Sequence, residues 1–218
     1  GGRTTVDATR VVRYDAQTTA ANAAALGASG AETRATLDGS ATARLLDGSS
    51  LQASSLRVLA TNDLARTQLN AQSAVGGGGG VISGAGADVY TRLDGDATAS
   101  IGHNATVLLD DLLEVRAYNE MQGSSRAQMD VGGAVPIALV NTEIVGDANA
   151  DAVIGNNTGI NVYGEAAVNA LSYINLAANS LSKTYGLAAA AQGNAYATAN
   201  VNNRVTVGRT PSARRQAG

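Results

Sequence analysis

The sequence predicts an all-β fold, a parallel β-solenoid made of four degenerate copies of one module of roughly 55 residues. Three observations lead to this prediction: the chain matches itself at a nearly constant spacing, apolar and polar residues alternate, and the hydrophobic residues are small. Such self-similarity is typical of repeat proteins, whose units bury apolar surface only against their neighbours. The expected modules are roughly 1–56, 57–113, 114–166 and 167–208, and residues 209–218 are expected to form a tail, a cap or a joint.

The repeat is clearest where an Asp-Gly or Gly-Asp pair precedes alternating small residues. Residues 37–45 (LDGSATARL) match residues 93–101 (LDGDATASI) at a shift of 56, and residues 146–154 (GDANADAVI) match the latter at a shift of 53. At a shift of 56, residues 7–10 also match 63–66, and residues 75–77 match 131–133. Further matches are Val58, Val115 and Val168; Ala60, Ala117 and Ala170; and Asn62, Asn119 and Ser172.

Small hydrophobic residues dominate the composition. The chain has no Phe, Trp or Cys, and its only aromatic residues are seven Tyr. Because aromatic rings dominate compact cores, their scarcity predicts a thin core of Ala, Val, Leu and Ile. Without Cys there are no disulfides, thiolate metal sites or Cys nucleophiles. A net charge of −3 gives no positive field for nucleic acid, and no apolar run approaches the ~20 residues of a membrane span, so neither nucleic-acid binding nor membrane insertion is expected.

Local patterns favour strands. Period-two alternation, as in residues 195–201 (AYATANV), is typical of strands buried on one face. Asp-Gly, Ile-Gly, His-Asn and Asn-Asn pairs predict the corners between strands. Residues 16–26, 63–75 and 187–191 could instead form helices because they are rich in helix-forming residues. The matching of residues 20–25 to the run Gly76–Gly80 opposes this, although some helix in the first module stays possible.

If one coil takes roughly 18–20 residues, each module supplies three coils and the chain about a dozen. Successive coils of a parallel solenoid lie ~4.8 Å apart, so the expected shape is a rod on the order of 55–60 Å long. Neither end shows an obvious cap, and an uncapped coil exposes a strand edge that can pair with another chain.

Several features could carry chemistry, and for each the structural interpretation is preferred. The run Gly76–Gly80 lacks the Lys-Ser/Thr of a phosphate loop and is expected to form a loop or a close contact between coils. His103 is the only histidine and matches Asp47 and Asn156, which places it at a corner. Two glycosylation sequons, at Asn104 and Asn156, are attributed to corner preferences.

The acidic residues are the strongest candidates for a metal site. Asp38, Asp94 and Asp147 are equivalent, but with three coils between them they would lie ~14 Å apart, too far to share a cation. Weak calcium binding by Asp94 with Asp96 is an alternative, and Asp110 and Asp111 are expected to point to opposite faces of a strand. We therefore expect no catalytic, cofactor-binding or metal-binding residues and no cofactor.

The motifs resemble those of a known family. Residues 131–142 (VGGAVPIALVNT), 99–107 (ASIGHNATV), 152–160 (AVIGNNTGI) and 113–117 (LEVRA) resemble the large repetitive exoproteins of the filamentous-haemagglutinin and filamentous-adhesin type. The resemblance covers most of residues 30–207. It implies a right-handed β-helix shaft at the bacterial cell surface or outside the cell, with a role in adhesion or filament structure.

Three hypotheses about function follow. The first is a structural and adhesive surface solenoid, not an enzyme, with surface glycans or a host or neighbouring cell as possible partners. The second is a filament subunit that self-associates end to end. The third, of another class, is a lyase-like β-helix enzyme acting on polysaccharides, for which Asp110 and Asp111 would be the residues to test.

Overall fold

The computed structural model describes residues 1–209, and this part of the chain contains nine β-strands and no helix. Every strand pairs in parallel with its neighbours in one sheet. The predicted all-β fold with parallel strands is therefore confirmed. The strands are β1 (Arg3–Tyr14), β2 (Thr18–Ala23), β3 (Leu26–Leu45), β4 (Ser50–Arg66), β5 (Ala74–Ile101), β6 (Thr106–Ile154), β7 (Gly159–Val162), β8 (Glu165–Tyr185) and β9 (Ala190–Val207).

Each strand pairs with the equivalent strand one module away. Arg3 pairs with Ser55, Leu26 with Ile82 and Ile137 with Ala190, so each partner lies one module further along the chain. The pairing thus repeats once per module, and the prediction of short coils, three per module and a dozen in all, is not confirmed. The physical reason is that the corners expected inside each module do not interrupt its strands.

Four stacked layers result, which we call rungs. They comprise residues 3–45, 50–101, 106–154 and 159–207. At ~4.8 Å between paired strands, four rungs stack to about 14 Å, while a straight run of 20 residues extends about 65 Å. The stack of four rungs, which we call the slab, is therefore much shorter along its stacking direction than the expected rod of about 55–60 Å.

Each rung folds back on itself, so the strands form two facing walls. The first wall contains residues 3–23, 50–79, 106–133 and 159–185, and the second contains 26–45, 82–101, 135–154 and 190–207. Hydrogen bonds cross between them: the side-chain amide of Asn62 donates to the carbonyl of Gly39 (3.0 Å), and that of Asn119 donates to the carbonyl of Asn149 (2.9 Å). The apolar residues of the two walls meet in the space between.

The core is a thin layer of small side chains, as the composition predicts. Val6, Val58, Val115 and Val168 form one continuous column and Ala8, Ala60, Ala117 and Ala170 form the next, because residues at the same position of successive rungs lie directly above one another. The members in the second and third rungs are fully buried. The outermost members are only partly buried, since each has a neighbouring rung on one side.

Glycines lie inside strands where the two walls or two rungs approach closely. The run Gly76–Gly80 belongs to β5 and pairs with β2 and β6, so it forms a strand with close rung contacts and not a loop or a helix. A Cβ on Gly95 would lie 2.5 Å from Met121 Cε and 2.8 Å from Asn62 Nδ2. The pairs Asp38-Gly39 and Asp94-Gly95 are therefore mid-strand positions, and the prediction of a corner there is wrong.

The corners predicted at Ile-Gly, His-Asn and Asn-Asn are confirmed. Residues 46–49, 102–105 and 155–158 connect one rung to the next. In each, the third residue has a left-handed backbone: φ is +69° at Gly48, +56° at Asn104 and +57° at Asn157. Gly and Asn are the residues that tolerate this conformation best.

A loop of residues 67–73 breaks the first wall in the second rung. Tyr14 pairs with Arg66 and Thr18 pairs with Ala74, so seven residues of the second rung cover the stretch that three residues cover in the first. The predicted matching of residues 7–10 to 63–66 is wrong, because Asp7 pairs with Leu59, ahead of this loop. Residues 75–77 likewise pair with 128–130, not with 131–133. The predicted tail at 209–218 lies outside the described residues, except for Arg209.

Candidate functional site on the outer face of the second wall

The outer face of the second wall consists of straight columns of polar side chains. Alternate residues of β3 point outward, and their partners in β5, β6 and β9 extend each position through all four rungs. Carboxylates and carboxamides dominate three of these columns. They are Glu32, Asp88, Asn141 and Asn194; Asp38, Asp94, Asp147 and Asn200; and Ser40, Asp96, Asn149 and Asn202.

Amide side chains donate to carboxylates along these columns. Asn141 Nδ2 donates to Asp88 Oδ1 (3.0 Å), Asn149 Nδ2 donates to Asp96 Oδ1 (2.9 Å), and Asn200 Nδ2 donates to Asp147 Oδ1 (2.6 Å). Like charges directly opposite each other on neighbouring strands are destabilising. At these three contacts, an Asn next to an Asp therefore replaces repulsion between carboxylates by a hydrogen bond.

Two of the equivalent aspartates, Asp94 and Asp147, lie close enough to contact the same arginine side chain. Arg92 Nη2 lies 3.4 Å from Asp94 Oδ2 and 2.9 Å from Asp147 Oδ2. The predicted separation of the equivalent aspartates by three coils is wrong, because these residues lie in adjacent rungs. The negative charge of Asp147, followed by the hydrogen bond to Asp94, raises the pKa of Arg92. Within residues 1–209, no three His, Asp or Glu side chains are grouped so that they could hold a metal ion.

A shallow groove of about 610 Å³ crosses all four rungs of this face. Two of its lining positions are glycines, Gly30 and Gly86, and their missing side chains leave space above the sheet. Leu139 and Gln192 occupy the same column in the third and fourth rungs. Along one side lies the acidic and amide column from Glu32 to Asn194. The groove thus combines an apolar floor with a row of hydrogen-bonding side chains.

His103 lies at a corner, as predicted, and takes part in a regular ladder. Asp47 Oδ1 accepts a hydrogen bond from the His103 N–H (3.0 Å), and His103 Nδ1 accepts one from the Asn156 N–H (2.9 Å). Asn156 Oδ1 in turn accepts from the Arg209 N–H (3.1 Å). The Arg44 side chain, and then the N–H of His103, lower the pKa of Asp47. His103 Nδ1 is an acceptor here, so its interaction is with backbone and not with a ligand set.

Asp110 and Asp111 lie in the first wall, away from the groove. They fall at an irregularity of the β4–β6 pairing, where Ala53 pairs with Leu109 and Ser55 with Leu112. Both aspartates are exposed, so the prediction that they point to opposite faces of a regular strand is not met. Asp111 Oδ2 accepts a hydrogen bond from Ser55 Oγ (3.3 Å).

The two sequons lie one position apart in the module. Asn104 is equivalent to Asn157, and Asn157 Nδ2 donates to Asn104 Oδ1 (3.3 Å). Thr158 is buried and donates to the carbonyl of Gly102 (2.9 Å). These Asn and Thr residues thus have roles in the turns themselves.

The comparisons with known proteins gave no match: no family model, curated protein or solved structure matches the chain. The resemblance to repetitive exoproteins therefore stays a prediction based on sequence motifs. Residues 1–209 include no helix long and apolar enough to cross a bilayer.

The groove is not predicted from the sequence, although the equivalent glycines Gly30 and Gly86 are a sequence signal for it. The repeat makes Gly30 and Gly86 equivalent, but an outward-facing glycine pair is visible as a depression only when adjacent modules are adjacent rungs. Three coils per module would separate these positions, and the columns of Asp and Asn would be divided in the same way.

Proposed function

We propose that the chain is a structural and adhesive segment of an extracellular bacterial surface solenoid, a right-handed β-helix shaft in an adhesin or filament. The observation that supports it best is the continuous pairing of all four rungs, which makes one stiff slab with regular columns on its outer face. Binding by such a scaffold would be spread over repeated positions of this face.

The groove is the surface best suited to adhesion. An apolar floor next to a row of amides and carboxylates suits an extended polysaccharide, because each amide or carboxylate can form a hydrogen bond with a sugar hydroxyl. The rim is acidic through Glu32 and Asp88, so a neutral polysaccharide is favoured over an anionic one. We therefore propose neutral surface glycans as the partner of this face.

Binding of immobilised protein to dextran and to alginate tests the proposal. Replacing both Gln192 and Asn194 by Ala removes two hydrogen-bonding side chains from the groove, and each hydrogen bond contributes roughly 0.5–1.5 kcal/mol. We expect dextran affinity to fall about tenfold. The matched control replaces Asn169 and Asn179 by Ala, because both are exposed on the first wall of the same rung.

Three results of the binding measurement would contradict the proposal. If neither polysaccharide binds, or if the control variant loses as much affinity as the groove variant, this face is not a glycan-binding surface. Preference for alginate over dextran would contradict the assignment of a neutral partner.

A further inference from the structure

We propose that the fourth rung of one copy binds the first rung of a second copy, in the register that joins rungs within the chain. Copies would then assemble end to end. This inference goes beyond the adhesive role, because it concerns the two end surfaces of the slab and not its outer face.

Both end surfaces are open strand edges within residues 1–209. Strands β7, β8 and β9 pair only with β6 in this part of the chain, and β1, β2 and β3 pair only with β4 or β5. The fourth rung consequently leaves inward-facing apolar residues uncovered: Val201 is 53% exposed, Val205 48% and Val207 64%. Their equivalents in the third rung, which the fourth rung covers, are at most 8% exposed. A row of this kind is buried wherever another rung follows.

The interior of the two ends matches column by column. Continuing the repeat would place Val6 of a second copy over Val168, and Ala8 over Ala170, which extends the two columns that already run through all four rungs. On the second wall, the partly buried Leu45 would meet Val207. Each of these pairs joins small or branched apolar side chains of the kind found at every internal junction.

The polar columns are also complementary at this junction. The fourth rung carries neutral amides, Asn194 and Asn200, where earlier rungs mostly carry carboxylates. The first rung carries Glu32 and Asp38 in these same columns. Stacking would therefore bring amide against carboxylate, as in the internal contact of Asn200 with Asp147 (2.6 Å), and would avoid carboxylate against carboxylate.

One residue opposes the contact. Arg10 occupies the inward column that holds the fully buried Asn62 and Asn119 in the next two rungs. In a stack, the Arg10 guanidinium would lie between Asn62 of its own copy and Ser172 of the preceding copy, and it would lose contact with water. Burial of a charge without a charged partner is costly. Arg10 therefore weakens the junction, and Asn at this position should strengthen it.

Sedimentation velocity over a concentration series, with negative-stain electron microscopy, tests the inference. We expect the chain to form an open-ended series of species, because a head-to-tail contact does not close. Arg10→Asn should lower the concentration for half-assembly roughly tenfold or more. Ala170→Arg, which puts a long charged side chain in the apolar column of the fourth rung, should abolish assembly.

The controls separate assembly from folding. Asn169→Arg places the same side chain on the outer side of the same strand and should leave assembly unchanged. Asn194→Asp faces only the neutral Asn141 within the chain and would meet the carboxylate of Glu32 only at the junction, so it should weaken assembly in a manner reversed by salt. Far-UV circular dichroism would verify that each variant is folded.

Two outcomes would overturn the inference: a single monomeric species for both the wild type and Arg10→Asn up to the solubility limit, or a discrete dimer that does not grow. Glycan binding is measured at concentrations where the protein is unassembled, using variants of the outer face. Failure of one proposal therefore leaves the other intact.

Discussion

Replacement of Arg66 by Met tests how the second rung holds its extra loop. The Arg66 side chain is 1% exposed and contacts all of the first three rungs. Its Nη1 donates to Ser73 Oγ (2.9 Å) and to the carbonyl of Ser124 (3.0 Å), and its Nη2 lies 3.2 Å from Asp15 Oδ1. Met has a similar length but no donor, so the substitution removes these interactions with little change in volume.

The expected cost follows from burial. Breaking a buried ion pair costs about 3–5 kcal/mol, but the Asp15 side chain is 32% exposed, so water can replace part of the lost interaction. The carbonyl of Ser124 loses a charged donor in a buried position, which costs about 1–3 kcal/mol. We expect a total loss of about 3 kcal/mol. For a chain of this size that corresponds to a fall in Tm of about 6–12 °C.

Urea and thermal unfolding, followed by circular dichroism and by tyrosine fluorescence, would measure this loss. Two probes are needed because rungs of a repeat protein can unfold separately. Arg13→Met is the matched control: Arg13 binds Asp63 through two hydrogen bonds (2.8 and 2.6 Å), yet its side chain is 45% exposed, so the expected cost is at most about 1 kcal/mol. If Arg66→Met also costs under about 1 kcal/mol, Arg66 does not stabilise the loop.

Three further predictions concern the stack itself. Gly77→Ala should cost about 1–3 kcal/mol in unfolding experiments, because the added Cβ would lie 2.6 Å from the carbonyl oxygen of Asp130. Gly79→Ala is the control and should be neutral, since nothing lies within 4 Å of a Cβ at that position. Asn119→Ala should cost about 1–3 kcal/mol by the same assay, because it removes buried hydrogen bonds to the carbonyls of two opposing residues; a cost under about 0.5 kcal/mol would contradict this. The lowered pKa of Asp47 stabilises the fold above its unfolded value of about 3.9, and this contribution is lost as the pH falls through the folded-state pKa; acid titration of Asp47→Asn should show a shallower loss.

The repeat and the strand type can be predicted because they depend on local residue order. A column such as Val58, Val115 and Val168 is visible as a match at a nearly constant spacing, and these residues pair directly in the structure. The corner at Ile101-Gly102 is equally predictable, since Asn104 adopts a left-handed backbone there and few residues tolerate it.

The coil length cannot be predicted, because alternation with period two is the same in short and in long strands. The turn-forming composition of the Asp38-Gly39 pair favours a corner. In the structure Gly39 faces Asn62 across the interior, and a Cβ there would lie 2.8 Å from Asn62 Oδ1. The glycine is required by contact between the walls, 23 residues apart along the chain, which no local pattern reveals.

Prediction of the site meets the same limit. The repeat makes Asp94 and Asp147 equivalent, but their distance depends on the number of coils between them. With one rung per module they share Arg92, and the expected isolated corner residues become a continuous polar column. One assumption about coil length therefore accounts for the missed groove, the wrong distance between aspartates and the wrong overall shape.

The loop at residues 67–73 also explains why no single shift aligns the modules. Paired residues are 57 apart at Ala65–Gln122 but 53 apart at Ala74–Ala127, so the third rung lacks the extra residues that the second rung has gained. An inserted loop brings carbonyl groups inward that no strand neighbour can satisfy. Arg66 supplies several donors from one planar group, and it reaches the carbonyls of Ala16 and Gln72 as well as that of Ser124. An apolar side chain would fill the same space without satisfying them. At this change of register, the buried arginine therefore satisfies the backbone groups that the inserted loop brings into the interior.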